Sequence, residues 1–545
     1  MNMKRLLLVS LFLAGCGNAD SVDGAYPYDE RKATCLADED CGQGEVCFAG
    51  QCIFQGEAPA DADGLVDDLP EEQEQRLAAF TVPAATGQHV WVASPATDTL
   101  ARIHGTTLSI DAIEVGDEPS VVRAGAPDDA VLVLNRGSDE LALVRGSDDV
   151  EFHRLPGHFN ALTLDPSGAH ALCWFDLSQV RTGEDVASLQ DVAVVELATG
   201  VVRSVTIGFR PRRITFTADG TTALVVTDDG LSVFRPAELS ATNLAATIPL
   251  ATGVFGQAGR EVAVTPDGAY AVSRGPDEAG VTVVDLADGI PRFVALGAQP
   301  SDLDLLPDGR TALVMLRAAE RLALVPLDTV AEDPDSVRYI DFSGHVLGSA
   351  AVAPAGEFAV LYTTVQSDDV PPQVALLELT GEVIVHRPLR KGIAGVEVAP
   401  DGQTAFVLHT KEEGEPDPVD GEEQFLARSY GYSLLDLRTL NAKLQTTAAA
   451  PSGLVFAPDR GEAYLVLRSA NTAAVQRVNL ASLAVETWAL GRPPEVVGVL
   501  ASVDRAFVTQ THPEGRISFI NLADQVDDGG RLETVSGYAL NGRIQ

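Results

Sequence analysis

From about residue 76 onward, apolar residues come in short runs cut by glycine, proline and aspartate. Runs such as Ala130-Val-Leu-Val-Leu134, Thr311-Ala-Leu-Val-Met-Leu316 and Ala463-Tyr-Leu-Val-Leu467 show no helical spacing and are short, so they predict strands. The punctuation between them repeats. Gly-x-x-Pro occurs at Gly116–Pro119, Gly208–Pro211, Gly297–Pro300 and Gly491–Pro494. A strand follows each copy, and then an aspartate-bearing turn. Turns of that second kind stand alone at Asp165-Pro-Ser-Gly168, Pro266-Asp-Gly268 and Pro400-Asp-Gly402, and Pro354-Ala-Gly356 is a copy without the aspartate. Asp-Gly suits a tight hairpin because glycine accepts a positive φ without steric cost. After the turn come a second strand, a polar loop, a third strand such as Val281-Thr-Val-Val-Asp285, a turn such as Ala287-Asp-Gly289, and a fourth strand.

Four short antiparallel strands in a unit of about 45 residues make a β-propeller blade. Ten blade-length units start near residues 76, 119, 157, 209, 258, 299, 345, 391, 450 and 493. The predicted fold is therefore all-β, a β-propeller of four-stranded antiparallel blades forming one large ring of eight to ten. Two smaller propellers are the alternative arrangement, and a blade shared between the two ends is one way of closing the ring and removing exposed edges. These Gly-x-x-Pro and Pro-Asp-Gly signatures resemble the YVTN family of bacterial propellers, within the broader WD40-like group. The resemblance spans residues 76–545 and implies a fold, not an activity.

Composition narrows the class. A chain of 545 residues exceeds one ordinary compact core unless that core is built by repetition. With 46% hydrophobic and 21% charged residues it is globular rather than disordered. Its net charge of −40 disfavours nucleic acid and anionic headgroups as charge-driven partners.

The N-terminus adds an address. Lys4 and Arg5 precede Leu6-Leu-Leu-Val-Ser-Leu-Phe-Leu13, and Ala14-Gly15 leads into Cys16, which is the layout of a secretory signal. Leu13-Ala14-Gly15-Cys16 resembles the lipobox of bacterial lipoproteins, against the alternative of an ordinary signal beside an incidental cysteine. The resemblance implies cleavage before Cys16, a diacylglycerol on its sulfur and an acyl chain on its new amine, enough chains for stable anchoring. Gly17, rather than Asp, directs the expectation to the outer membrane or cell surface of a Gram-negative bacterium.

Cys35, Cys41, Cys47 and Cys52 follow closely. In an exported chain a tight, even set reads as disulfides of undetermined connectivity, because so small a segment needs staples. A structural zinc site is the alternative, disfavoured by the absence of Cys-x-x-Cys pairs. The spacing resembles short Cys-rich repeats of exported bacterial proteins, akin to the N-terminal Cys-rich region of Dickkopf proteins. Asp61-Ala-Asp63-Gly64-Leu-Val-Asp67-Asp68 hints at calcium but lacks a regular ligand set, so an acidic linker is the preferred reading and no cofactor is assigned. A short helix is expected over Glu71–Phe80. The resulting organisation is signal 1–15, lipidated tether 16–34, Cys-rich module 35–52, acidic linker 53–75 and propeller 76–545.

Long insertions fall between second and third strands, at Asp176–Gln190, Gln366–Gln373 and Lys411–Tyr430, and all decorate one face together with the crossovers. The last carries Glu412, Glu413, Glu415, Asp417, Asp420, Glu422 and Glu423, a candidate partner-binding loop for another protein, an envelope component or a cation. His158 and His345 at matching crossovers, with Asp302 and Asp304 on a first strand, are the candidate channel-facing residues. No Gly-x-Ser-x-Gly, His-Glu-x-x-His or Cys-x-x-Cys-His motif is present, so no catalytic residue or metal ligand is assigned. Cys173 reads as a buried strand thiol. The leading expectation is a non-enzymatic surface lipoprotein serving as a binding platform. A lactonase-like hydrolase with a site at the central channel, and a subunit of an outer-membrane assembly, are the alternatives. Mass spectrometry of the mature N-terminus should show a chain starting at Cys16 and carrying lipid mass; an unmodified Cys16 overturns the anchor.

Overall fold

A computed structural model of the chain describes residues 45–48, 51–54 and 81–538, apart from 126–129, 181–185, 187, 241–242, 254–258, 366–369, 470–471 and 524–530. Cys16, Cys35, Cys41, the acidic run 61–68 and the helix expected over 71–80 lie outside these residues. Cys47 and Cys52 lie in a small antiparallel pair, Glu45–Phe48 with Gln51–Phe54, whose register sets them opposite one another.

The rest is one ring of ten blades, at residues 84–114, 119–154, 161–206, 213–248, 261–295, 302–341, 349–388, 393–447, 450–489 and 494–536. Each is an antiparallel sheet whose first four strands run in chain order. First strands of neighbouring blades touch, as 302–305 does 349–352, and so surround the axis. Fourth strands are the exposed rim, as the outward Ile290 and Phe293 of blade 5 show.

The second strands explain the continuous apolar runs. In Val131–Asn135 of blade 2 every residue is buried. Val131 and Val133 pack toward blade 1, whereas Leu132 and Leu134 pack toward blade 3. A strand covered on both faces needs apolar residues at every position rather than at alternate ones. Each pair of neighbouring blades shares such a core cluster, and the series returns to its start. The closing cluster sets Val90, Val92 and Ile103 of blade 1 against Phe507, Ile517 and Phe519 of blade 10. Closure thus comes from packing of complete blades, and the described strands show no blade shared between the ends. One strand does migrate: Asn243–Leu244, from the connection between the third and fourth strands of blade 4, pairs in parallel with Val205–Thr206 on the rim of blade 3.

The two sequence signatures have separate physical jobs. In the Asp turns the carboxylate holds the bend: Asp308 Oδ1 accepts from the Arg310 and Thr311 N–H groups at 2.8 and 2.9 Å, and Gly309 takes φ 63°. The crossover glycines allow close approach to the next blade. A Cβ on Gly208 would lie 2.3 Å from Thr227 Oγ1 at the end of a second strand of blade 4. Cys173 is a buried thiol in the core between blades 2 and 3, and burial pushes its pKa up.

Phe519, fully buried in the closing cluster, should cost about 3–5 kcal/mol when replaced by alanine. Phe406, buried between blades 8 and 9, should cost a similar amount. Denaturant unfolding of F519A and F406A checks this, and a negligible loss for F519A alone would show an open ring.

Candidate interaction face

The crossovers and the loops between second and third strands emerge on one face of the ring, and blade 8 carries its largest described structure there. Its second strand, Thr404–His409, runs out into residues 411–429 before the third strand, Tyr430–Asp436. The sequence marks this stretch only as polar and acidic, yet it contains a helix, Glu422–Arg428. Lys391, in the crossover before the innermost strand Ile393–Val398, reaches the end of that helix. Its ammonium donates to the Leu426 carbonyl and, at 3.1 Å, to the Ala427 carbonyl. Helix ends leave carbonyls without intrahelical partners, and a cation there also meets the negative end of the helix dipole. Arg390 adds an exposed pair to Glu422 at 2.8 Å, and the Glu412 N–H closes the base of the loop on the Ala427 carbonyl at 2.9 Å.

Beneath this latch sits His409, 6% exposed. Its Nδ1 lies 3.0 Å from the Gly392 carbonyl and its Nε2 lies 2.7 Å from Ser433 Oγ. A carbonyl only accepts, so Nδ1 carries the proton and Nε2 accepts from the hydroxyl. Burial pushes His409 down to about 4, the Gly392 carbonyl opposing and Lys391 adding to the fall. Burial likewise brings Lys391 to about 8, with Glu412 opposing and Lys411 adding.

The acids of the loop face outward. Glu412, Glu413, Glu415, Asp417, Glu422 and Glu423 are exposed, beside Val419 at 89% exposure. Asp420 closes the short 3-10 turn Pro418–Asp420. Asp417 accepts from the Val419 N–H at 2.9 Å, and Lys411 Nζ lies 5.1 Å from the Tyr430 ring centre. The result is an acidic knob held by a defined base. The insertion in blade 3 is described only in part, at 176–180, 186 and 188–190, and that in blade 7 only at 370–373.

The candidate channel residues do not converge. His158 Nδ1 pairs with Asp139 Oδ1 at 2.9 Å at the junction of blades 2 and 3. His345 is bonded to Gln373 at 2.7 Å and stacked 3.5 Å from His386 on the outermost strand of blade 7. Burial and the neighbouring His345 both push His386 below its ordinary value. Asp302 is buried, and its Oδ2 accepts from Ser349 Oγ at 2.6 Å and the Ala350 N–H at 2.8 Å, tying blade 6 to blade 7. Asp304 is half-buried two residues on. Innermost strands lie edge-on to the axis, so their side chains alternate between the two flanking blades. Leu303 accordingly packs toward blade 5.

Sequence reasoning passed over Glu261, which is ion-paired with Arg274 near the same two aspartates. Burial pushes the Glu261 carboxyl up, with Arg274 opposing and Asp302 and Asp304 adding. Among the described residues no group of three His, Cys, Asp or Glu side chains is placed to hold a metal ion. No helix among them is long and apolar enough to cross a membrane.

No family model matches the chain. No curated protein matches it either. Solved structures that it is similar to include a eukaryotic initiation factor at 12% identity and TM-score 0.46, covering 73% of this chain and 96% of that one. AztD from Citrobacter koseri is 12% identical with TM-score 0.38, covering 65% of this chain and 92% of that one. Kuenenia stuttgartiensis hydrazine synthase is 16% identical with TM-score 0.27, covering 56% of this chain and 94% of that one. The class defined by the strand order and blade packing is a ten-blade β-propeller.

His409 makes acid stability a test of the latch. Its folded pKa of about 4 lies below the ordinary 6.5, so the unfolded chain takes up the extra proton between these values. Its contribution is full above pH 6.5 and is lost as pH falls toward 4, by about 2–3 kcal/mol. Denaturation midpoints measured across that window should fall less steeply with acid in H409Q than in the natural chain.

Proposed function

We propose that this chain is an exported lipoprotein, anchored through Cys16 at the outer membrane or cell surface, whose ring serves as a non-enzymatic binding platform. The anchor reading rests on the charged, apolar and small-residue order of residues 1–16 and on Gly17. The binding reading is carried by one observation: the acidic insertion of blade 8 is a folded knob latched to the ring by Lys391, with its carboxylates turned to solvent. Ordering a loop costs conformational entropy. Here buried hydrogen bonds offset that cost, and the display of charge is fixed. Rigid scaffolds that hold a loop in one shape are suited to recognition, since little ordering remains to be done on binding.

The partner matched to this face is a protein or envelope component with a basic surface. Charge of this density would set the rate and selectivity of encounter more than the final affinity. Val419, fully outward among the acids, provides an apolar point of contact. Partners cross-linked to the natural chain in its own envelope should be lost from a variant lacking Lys411–Gln424. They should also be lost from a variant with the exposed acids from Glu412 to Glu423 changed to their amides, which keeps the knob in place. Unchanged cross-linking in both variants would exclude this face as the binding surface.

A further inference from the structure

A second feature lies on the rim. Each fourth strand there is a sheet edge, and an unpaired edge invites another strand unless it is shortened, charged or broken by proline. Blade 3 shows that such an edge pairs. The Ile207 N–H donates to the Gln190 carbonyl at 2.8 Å. By the alternation of an antiparallel ladder, Ser204 and Thr206 therefore turn their main-chain groups outward. The migrant segment from blade 4 takes both carbonyls. Asn243 Nδ2 donates to that of Ser204 at 3.0 Å, and the Ala245 N–H to that of Thr206 at 2.9 Å.

The same alternation applies on blade 7, whose sheet carries no fifth strand among the described residues. The Leu389 N–H donates to the Pro372 carbonyl at 2.8 Å, so Ile384 and His386 turn their N–H and carbonyl groups outward. In this edge, Val383–Pro388, the run from Val383 to Val385 has neither charge nor proline. The neighbouring edges are guarded. Blade 5 sets Pro291 at an outward position, and blade 6 ends in the short, charged Arg338–Asp341. Blade 8 has Lys443 within its edge.

The side chains of the blade 7 edge form a stripe. Val383, Val385 and Arg387 stand opposite Glu378, Leu376 and Val374. Leu376 and Val374 belong to the core shared with blade 8, so the stripe lies on that face. Val383 and Val385 are 52% and 50% exposed, and Arg387 is exposed. A strand added to this edge would set every second side chain beside the stripe, against two apolar groups and then a cation.

We propose that the outer edge of blade 7 is a strand-addition site for an extended segment of a partner protein. That segment has apolar residues at two alternate positions and a carboxylate at the next. Main-chain hydrogen bonds supply its affinity and the stripe its selectivity. A second copy is the poorer occupant, because two chains of net charge −40 repel. The site is separate from the acidic knob on blade 8 and stands whether or not that knob binds a partner. Fluorescence anisotropy tests it, with the full-length, detergent-solubilised chain titrated into two labelled peptide amides, Thr-Val-Thr-Val-Thr-Glu-Thr and its reverse. At least one should bind saturably at one site per chain, and the tighter gives the direction of the added strand. Methylating the main-chain nitrogens of that peptide, which keeps its side chains, should abolish binding. V385K should weaken it about tenfold or more through lost apolar contact. R387Q should weaken it about threefold, as an exposed ion pair does. Thermal unfolding should be unchanged in both variants. Removing Lys411–Gln424 should leave the affinity unchanged. No saturable binding by either peptide, or equal affinity for the methylated peptide or in V385K, overturns the proposal. Unchanged affinity in R387Q overturns the carboxylate, and a dimer of the chain that V385K abolishes overturns the partner segment.

Discussion

Every blade of this protein is apolar on both faces, and that single constraint organises the rest. A sheet such as that of blade 2 cannot be covered on one side and left wet on the other, because Val131 and Val133 face one way while Leu132 and Leu134 face the other. Each blade must therefore have two neighbours. A row of such sheets would leave an uncovered face at each end, and only a closed ring removes both. The packing of Val90 and Ile103 against Phe507 and Phe519 is thus a requirement of the same pattern that builds every other junction, not a special clasp. Hydrophobic burial is non-directional and scales with area, so it brings blades together without dictating their order. Order comes from the short crossovers, which place consecutive blades side by side.

Polar contacts refine what burial assembles. Asp302 accepts hydrogen bonds from Ser349 and the Ala350 N–H of the next blade, and Arg213 donates to the Val262 carbonyl of the blade after its own. Such bonds are directional and fix the rotation of one blade against another. The crossover glycines at Gly116 and Gly208 serve the same end by letting side chains such as Asn135 and Thr227 pack directly against the crossover backbone. The turn face is short and regular, whereas the crossover face carries the long insertions, that of blade 8 among them.

The acidic knob is one of those insertions. Lys391 holds the knob by the helix-end carbonyls of Leu426 and Ala427, and His409 below it stays neutral because it is buried. The knob acids are thereby displayed on a fixed frame.

The blades were legible in the sequence because their signals are local. Asp308-Gly309 makes its turn from neighbouring atoms, and the apolar runs declare strands within a few residues. The number of units follows from counting them. Whether they form one ring is a matter of partners far apart in the chain, Val90 with Phe519, which no local pattern encodes. The same holds for the candidate channel residues. Matching crossover positions suggested that His158 and His345 were related, but the repeat fixes only where each leaves its blade, and Asp139 and Gln373 decide where each ring goes. Asp302 is buried because innermost strands stand edge-on to the axis, a fact of ring geometry. Lys391 meets a helix thirty-five residues ahead. The sequence alone determined strands, turns and their repetition, since backbone sterics and side-chain polarity act within a few residues. Tertiary structure decided closure and the latch, since burial and charge pairing depend on which distant surfaces meet.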